Sequence, residues 1–228
     1  MDVAQNLHNI QHNIQKAATR VGRNPDDVTV IAVTKYVTAK RAEEAVNAGV
    51  LNLGENRAEG LIDKQNSMDV NPIWHFIGSL QTRKVKSIID RVHYIHSLDR
   101  ISLADEIQKR AKEPVDCFVQ VNVSGEDTKH GIKPQETAQF VENLAEYDKI
   151  RVIGLMTMAP LTDNKEEVRN CFKHLKELQV KIQDMLLPNA PCNQLSMGMS
   201  NDYEIAVEEG ATMVRIGTAL VGNDKSEV

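Results

Sequence analysis

Eight short apolar runs, each separated from the next by a helical repeat, limit what this chain can fold into more than any other feature. The first run, residues 28–33 (Val-Thr-Val-Ile-Ala-Val), is too short for a helix and rich in β-branched residues. It predicts a strand buried on both faces, as in a parallel sheet. Further strands are predicted near 51–54, 73–77, 92–96, 115–123, 150–156, 193–197 and 212–216. Between them, apolar residues at three- and four-residue steps predict helices over roughly 57–67, 82–90, 99–112, 134–146, 164–186 and 201–209. Thr38 is placed to cap the helix after the first strand and Gly49 to end it. A leading helix carries Val3, Leu7, Ile10, Ile14 and Ala17 on one face. Parallel neighbours require such crossovers, so the pattern means helices over a parallel sheet, either open or closed into a barrel.

Eight strands favour a (β/α)8 TIM barrel, and 228 residues suit one such unit. Only 12 residues follow Ile216, too few for a full eighth outer helix. The leading helix is therefore expected to cover the gap beside strand eight. The rival is an open doubly wound sheet, whose GxGxxG after the first strand is absent; Val-Thr-Lys-Tyr-Val stands there instead. The seven prolines are scattered and no Pro/Gly-rich linker interrupts the chain. Residues 1–228 are read as a single barrel domain with an extra N-terminal helix.

The formal net charge of −5 provides no general attraction to nucleic acid or an anionic membrane. With 4% aromatic residues, a base-stacking surface is not expected. No apolar run approaches a membrane span, and the first residues lack the basic and apolar regions of a signal peptide. Cys117, Cys171 and Cys192 are an odd number with no CxxC, which reads as buried thiols in a reducing cytoplasm. His8 and His12 lie four apart without HExxH or a third ligand, so no metal site is expected. Without a dimerisation domain in view, a monomer is expected.

In a barrel the chemistry lies at the carboxyl ends of the strands. Lys35 follows the first apolar run and is expected at the barrel mouth, where desolvation lowers a lysine pKa and frees the amine as a nucleophile toward an aldehyde. A lysine that merely snorkels out of a strand end is the plainer alternative. A second cluster stands at the last two strand ends. Ser200 precedes a predicted helix, Gly198 lets backbone approach a ligand, and Gly217 and Thr218 offer N–H groups and a hydroxyl. Barrels often hold phosphate in the loops after strands seven and eight. A nucleophilic lysine beside a phosphate site suggests a Schiff-base aldolase or a pyridoxal 5′-phosphate (PLP) protein.

Six ordered segments distinguish these two. Ala32-Val33-Thr34-Lys35, Gly54-Glu55-Asn56-Arg57, Trp74-His75-Phe76-Ile77-Gly78, Gly154-Leu155-Met156, Ser196-Met197-Gly198-Met199-Ser200 and Val214-Arg215-Ile216-Gly217-Thr218 closely resemble the PLP homeostasis protein family, single-domain proteins related to the alanine racemase barrel domain. The resemblance spans nearly the whole chain and implies a PLP fold type III barrel. It implies that Lys35 forms the internal aldimine with PLP and that Ser200, Gly217 and Thr218 hold its phosphate. It also implies that Arg215 faces the pyridine nitrogen, that Asn56 lies beside the ring, and that Met199 and His75 line the pocket. Where the family commonly has Gln-x-Asn-Lys, this chain has Gln81-Thr82-Arg83-Lys84, so no site residue is carried over there.

Arg215 has a physical consequence. An arginine stays charged and only donates, so it favours an unprotonated ring nitrogen and a weak electron sink. Racemases of this fold class add a β domain that supplies a second acid/base, and the chain stops 13 residues after Arg215. Tyr36 adjoins Lys35 but is not assigned that task. The implied role is therefore a PLP carrier in vitamin B6 and amino-acid homeostasis, handing the cofactor to PLP-dependent apo-enzymes. It involves no robust catalysis and no catalytic residue. The enzyme alternative is a PLP-dependent racemase or related enzyme of low activity. Lys129, in the loop after strand five, is noted as a second amine near the mouth.

Overall fold

The computed structural model describes residues 2–126 and 128–223. Met1 and residues 224–228, the ends of the expected 1–228 domain, lie outside the described residues. Eight strands form the sheet: β1 Thr29–Val33, β2 Asn52–Glu55, β3 Ile73–Phe76, β4 Tyr94–Leu98, β5 Val115–Gln120, β6 Ile150–Met156, β7 Gln194–Ser196 and β8 Met213–Ile216. Each pairs in parallel with the next, and β8 returns to β1, so the barrel is closed. The predicted 115–123 strand stops at Gln120; Val121 N still donates to Met156 O at 2.8 Å, but the residue bridges Ile132 on its other side.

The wall separates two apolar clusters, as the two-residue side-chain period of a strand requires. Ala32, Leu53, Trp74, Ile95, Val119, Leu155, Leu195 and Val214 belong to the large cluster under the helices. Ile31, Phe118, Ile153, Met156 and Met213 form the smaller one, which fills the barrel. Gly154 permits the close contact between β6 and β7, since a Cβ there would stand 2.1 Å from Gln194 O.

The outer layer runs α1 Val3–Arg20, α2 Ala39–Asn47, α3 Ala58–Ser67, α4 Val85–Ile88, α5 Ile101–Arg110, α6 Pro134–Asn143, α7 Lys165–Gln183, α8 Tyr203–Glu208 and α9 Thr218–Val221. The leading helix α1 starts on Asp2, whose carboxylate accepts from Ala4 N and Gln5 N. It packs on α8, α9 and α2 and so covers the gap beside β8. Asn13 Nδ2 donates to the Tyr203 hydroxyl at 3.0 Å and Asn6 Nδ2 to Leu220 O at 3.0 Å, which fixes its seat. The one-turn α9 was not expected from the pattern. The 82–90 stretch is not one helix: it splits into a 3-10 turn, α4 and a second 3-10 turn, with no capping side chain at Gln81 or Lys84.

Candidate functional site

A cavity of about 870 Å³ opens at the carboxyl ends of the strands. Lys35, Asn56, Met199, Ser200, Arg215, Gly217 and Thr218 all border it. Residues as far apart in sequence as Lys35 and Thr218 meet there because β8 is the neighbour of β1.

Lys35 stands two residues beyond β1. Alternation along the strand puts Ile31, Val33 and Lys35 on the inner side and Thr34 on the outer. Lys35 is half-buried, and its Nζ lies 4.7 Å from the centroid of the Tyr36 ring. Its base is anchored from outside. Thr34 Oγ1 donates to Glu55 Oε1 at 2.6 Å, and that oxygen also takes Lys64 Nζ at 2.9 Å. Asn56 follows β2, and the chain after β3 presses on it: a Cβ at Gly78 would stand 2.3 Å from Asn56 O.

Arg215, in β8, is 5% exposed. Its Nη1 donates to Ser196 Oγ at 2.6 Å and its Nη2 to Thr157 O at 2.9 Å. Among the described residues no carboxylate lies within ion-pair distance of it. Burial lowers its pKa to about 10 against a raising effect from Asp202, so the guanidinium remains cationic at neutral pH. A buried cation held by neutral acceptors on one side and facing a cavity on the other is a receptor for a hydrogen-bond acceptor.

Gly217 contributes space. A Cβ there would meet Val33 at an ordinary 3.6 Å, so no neighbouring atom excludes one, and the room it leaves belongs to the cavity. Gly198 differs from expectation. Its φ is +93°, and a Cβ added to it would stand 2.6 Å from Ala206 Cβ, so α8, not a ligand, excludes a side chain there. Ser200 is not a helix cap: α8 begins at Tyr203, and the Asp202 carboxylate turns back to accept from Met199 N at 2.5 Å. Ser200 therefore sits in the turn before the helix.

His75 does not border the cavity, contrary to expectation. It lies fully buried inside the barrel, stacked on Tyr94 at 4.5 Å, with its ring nitrogens 2.9 Å from His96 Nε2 and 2.9 Å from Asn52 Oδ1. The alternation that puts Ile77 at the rim puts His75 one layer deeper. Lys129 Nζ is turned to Glu126 Oε1 at 2.7 Å and Ala159 O at 2.9 Å and is not among the residues bordering the cavity. Three inner groups were given no role by the sequence reading: His96, Ser196 and Gln120. Their signal was an inward position at period two on β4, β7 and β5.

A family model described as the N-terminal domain of alanine racemase matches residues 5–225. The pyridoxal phosphate homeostasis protein of Aquifex aeolicus is 43% identical over 99% of this chain and 100% of its own length. The chain belongs to the pyridoxal phosphate homeostasis protein family. A second member, from Escherichia coli K12, is 35% identical over 97% of this chain and 96% of its own. Among solved structures, PipY of Synechococcus elongatus with PLP bound superposes with a TM-score of 0.84 at 29% identity, covering 96% of this chain and 100% of that one. The fold of this family is thus the closed parallel barrel described above. No helix among the described residues is long and apolar enough to cross a membrane.

Proposed function

We propose that this chain binds PLP in the cavity at the carboxyl ends of the strands and serves PLP homeostasis by holding the cofactor reversibly and passing it to PLP-dependent apo-enzymes. The observation that carries this reading is the convergence on one cavity of an amine, Lys35, and a buried cation, Arg215, that has no carboxylate partner among the described residues. The names of the relatives and the PLP-bound neighbour support it. When bound, PLP supplies an aldehyde that condenses reversibly with a primary amine and a ring that withdraws electrons.

Each residue then has a task. Lys35 presents the amine from a strand end that the Thr34–Glu55–Lys64 contacts keep in place. Arg215 offers N–H groups toward a ring acceptor. Asn56 and Met199 flank the ring. Ser200, Gly217 and Thr218 receive the phosphate, with the space at Gly217 as its seat. The chemistry of this donor set fits the cofactor: one amine, one fixed cation and hydroxyl donors match one aldehyde, one ring nitrogen and one dianion.

Storage, not turnover, follows from Arg215. A group that only donates keeps the ring nitrogen unprotonated, which weakens the electron sink that amino-acid chemistry needs. The test is to titrate the purified protein with PLP, follow the visible band of the lysine-bound cofactor, and assay both loading of an apo-enzyme and amino-acid racemisation. Uptake with loading faster than spontaneous release, and without racemisation, is expected. Robust racemisation favours the enzyme alternative, and equal rates of loading and release contradict hand-over.

A further inference from the structure

Below the cavity a line of hydrogen bonds runs through the barrel. From Arg215 Nη1 it passes to Ser196 Oγ at 2.6 Å, from Ser196 Oγ to His96 Nδ1 at 2.8 Å, from His96 Nε2 to His75 Nδ1 at 2.9 Å, and from His75 Nε2 to Asn52 Oδ1 at 2.9 Å. It crosses β8, β7, β4, β3 and β2.

Its direction follows from the chemistry of the groups. A guanidinium has donors only, so Ser196 Oγ accepts from Arg215. The hydroxyl proton of Ser196 goes to His96 Nδ1 when that ring is neutral with its own proton on Nε2. His96 must carry its proton on Nε2 and donate to His75 Nδ1. His75 in turn carries its proton on Nε2 and donates to Asn52 Oδ1. Asn52 Oδ1 only accepts, which sets this direction, and with both imidazoles neutral every link has one donor and one acceptor. Burial provides that condition: it lowers the His75 pKa to about 3 and the His96 pKa well below its ordinary value. The rings cannot swing, because His75 is stacked on Tyr94 at 4.5 Å and His96 on Phe118 at 4.3 Å.

We propose that Ser196, His96 and His75 are positioning residues whose one-way hydrogen-bond line fixes the guanidinium of Arg215 against the ring of bound PLP. The inference rests on the reading of the cavity given above and adds three residues to it that do not touch the cofactor. Without the line, Arg215 keeps only Thr157 O as a hydrogen-bond anchor among the described residues and loses its set orientation.

Two experiments test it. Nitrogen-15 NMR of the imidazoles in the parent protein needs neither cofactor nor variant. Both rings are expected as neutral Nε2–H tautomers at pH 7; an Nδ1–H tautomer or an imidazolium at either ring overturns the proposal. In PLP-loaded protein, Ser196→Ala is expected to shift the absorption maximum of the bound cofactor. It should also speed PLP dissociation about tenfold, the equivalent of one hydrogen bond to a charged group. Ser196→Thr, which keeps the hydroxyl, should restore both. A Ser196→Ala protein with the parent spectrum and release rate overturns the line while leaving the cavity reading intact. A parent that takes up no PLP overturns the cavity reading itself and the line's role with it. If Ser196→Ala fails to fold, the tautomers of the parent still decide.

Discussion

Thr34 Oγ1 donates to Glu55 Oε1 at 2.6 Å, one residue before the lysine that enters the cavity. The same carboxylate oxygen takes Lys64 Nζ at 2.9 Å, and both members of that ion pair are buried, with side chains 2% and 10% exposed. The end of β1 is thus tied to β2 and α3 from the helix side, while Lys35 is left to face the cavity. Glu55→Gln leaves the Lys64 ammonium buried without its counterion. A loss of about 3–5 kcal/mol in unfolding free energy is expected by denaturant titration. A Glu55→Gln/Lys64→Met double variant should recover much of it. A single variant as stable as the parent contradicts this role.

The two barrel histidines predict an acid-sensitive fold. Burial keeps both neutral in the folded chain, His75 down to about 3 and His96 well below the ordinary value. In the unfolded chain each takes up a proton near pH 6.5. Above that pH neither state binds the proton and the effect vanishes. As the pH falls from about 6.5 toward about 3 the unfolded state alone is protonated, so stability is lost at up to about 1.4 kcal/mol per pH unit for each ring. Urea unfolding at a series of pH values measures the slope. A His75→Gln/His96→Gln variant should show a shallower slope, and an unchanged slope would falsify the assignment.

Space at Gly217 separates fold from binding. A methyl group there meets Val33 at an ordinary 3.6 Å, so Gly217→Ala is expected to unfold within about 1 kcal/mol of the parent. The methyl group stands in the room assigned to the phosphate. PLP affinity should therefore fall about tenfold or more in an equilibrium titration. Unaltered affinity contradicts the placement of the phosphate.

Gly78 has the opposite character. A Cβ there would come within 2.3 Å of the Asn56 carbonyl oxygen and 2.8 Å of its Cα, both backbone atoms that cannot rotate away. Gly78→Ala is expected to cost about 1–3 kcal/mol of stability and to displace Asn56 from the cavity, lowering PLP affinity in the same variant. Retention of both properties contradicts the close approach.

Much of this was legible in the sequence because period and order are local. The run 28–33 announces a strand buried on both sides. Its position, followed by a lysine, also announces the cavity, because strand ends in a barrel converge whatever their order in the chain. Seven of the eight expected site residues border one cavity. His75 does not, because depth along a strand depends on register, and one two-residue step moves a side chain from the rim to the layer beneath. The start of α8 and the role of Gly198 were misjudged for a related reason: the turn before α8 is shaped by the Asp202 carboxylate reaching Met199 N, a competition among neighbours that spacing alone does not rank. The line from Arg215 to Asn52 was illegible because its members come from five strands and meet only when the barrel closes.

The most direct measurement is borohydride reduction of the PLP-loaded protein followed by proteolysis and mass mapping of the modified lysine. The account predicts that the pyridoxyl group is carried by Lys35 and that Lys35→Ala takes up no reducible cofactor. Modification of a different lysine, or full PLP occupancy in Lys35→Ala, would contradict it.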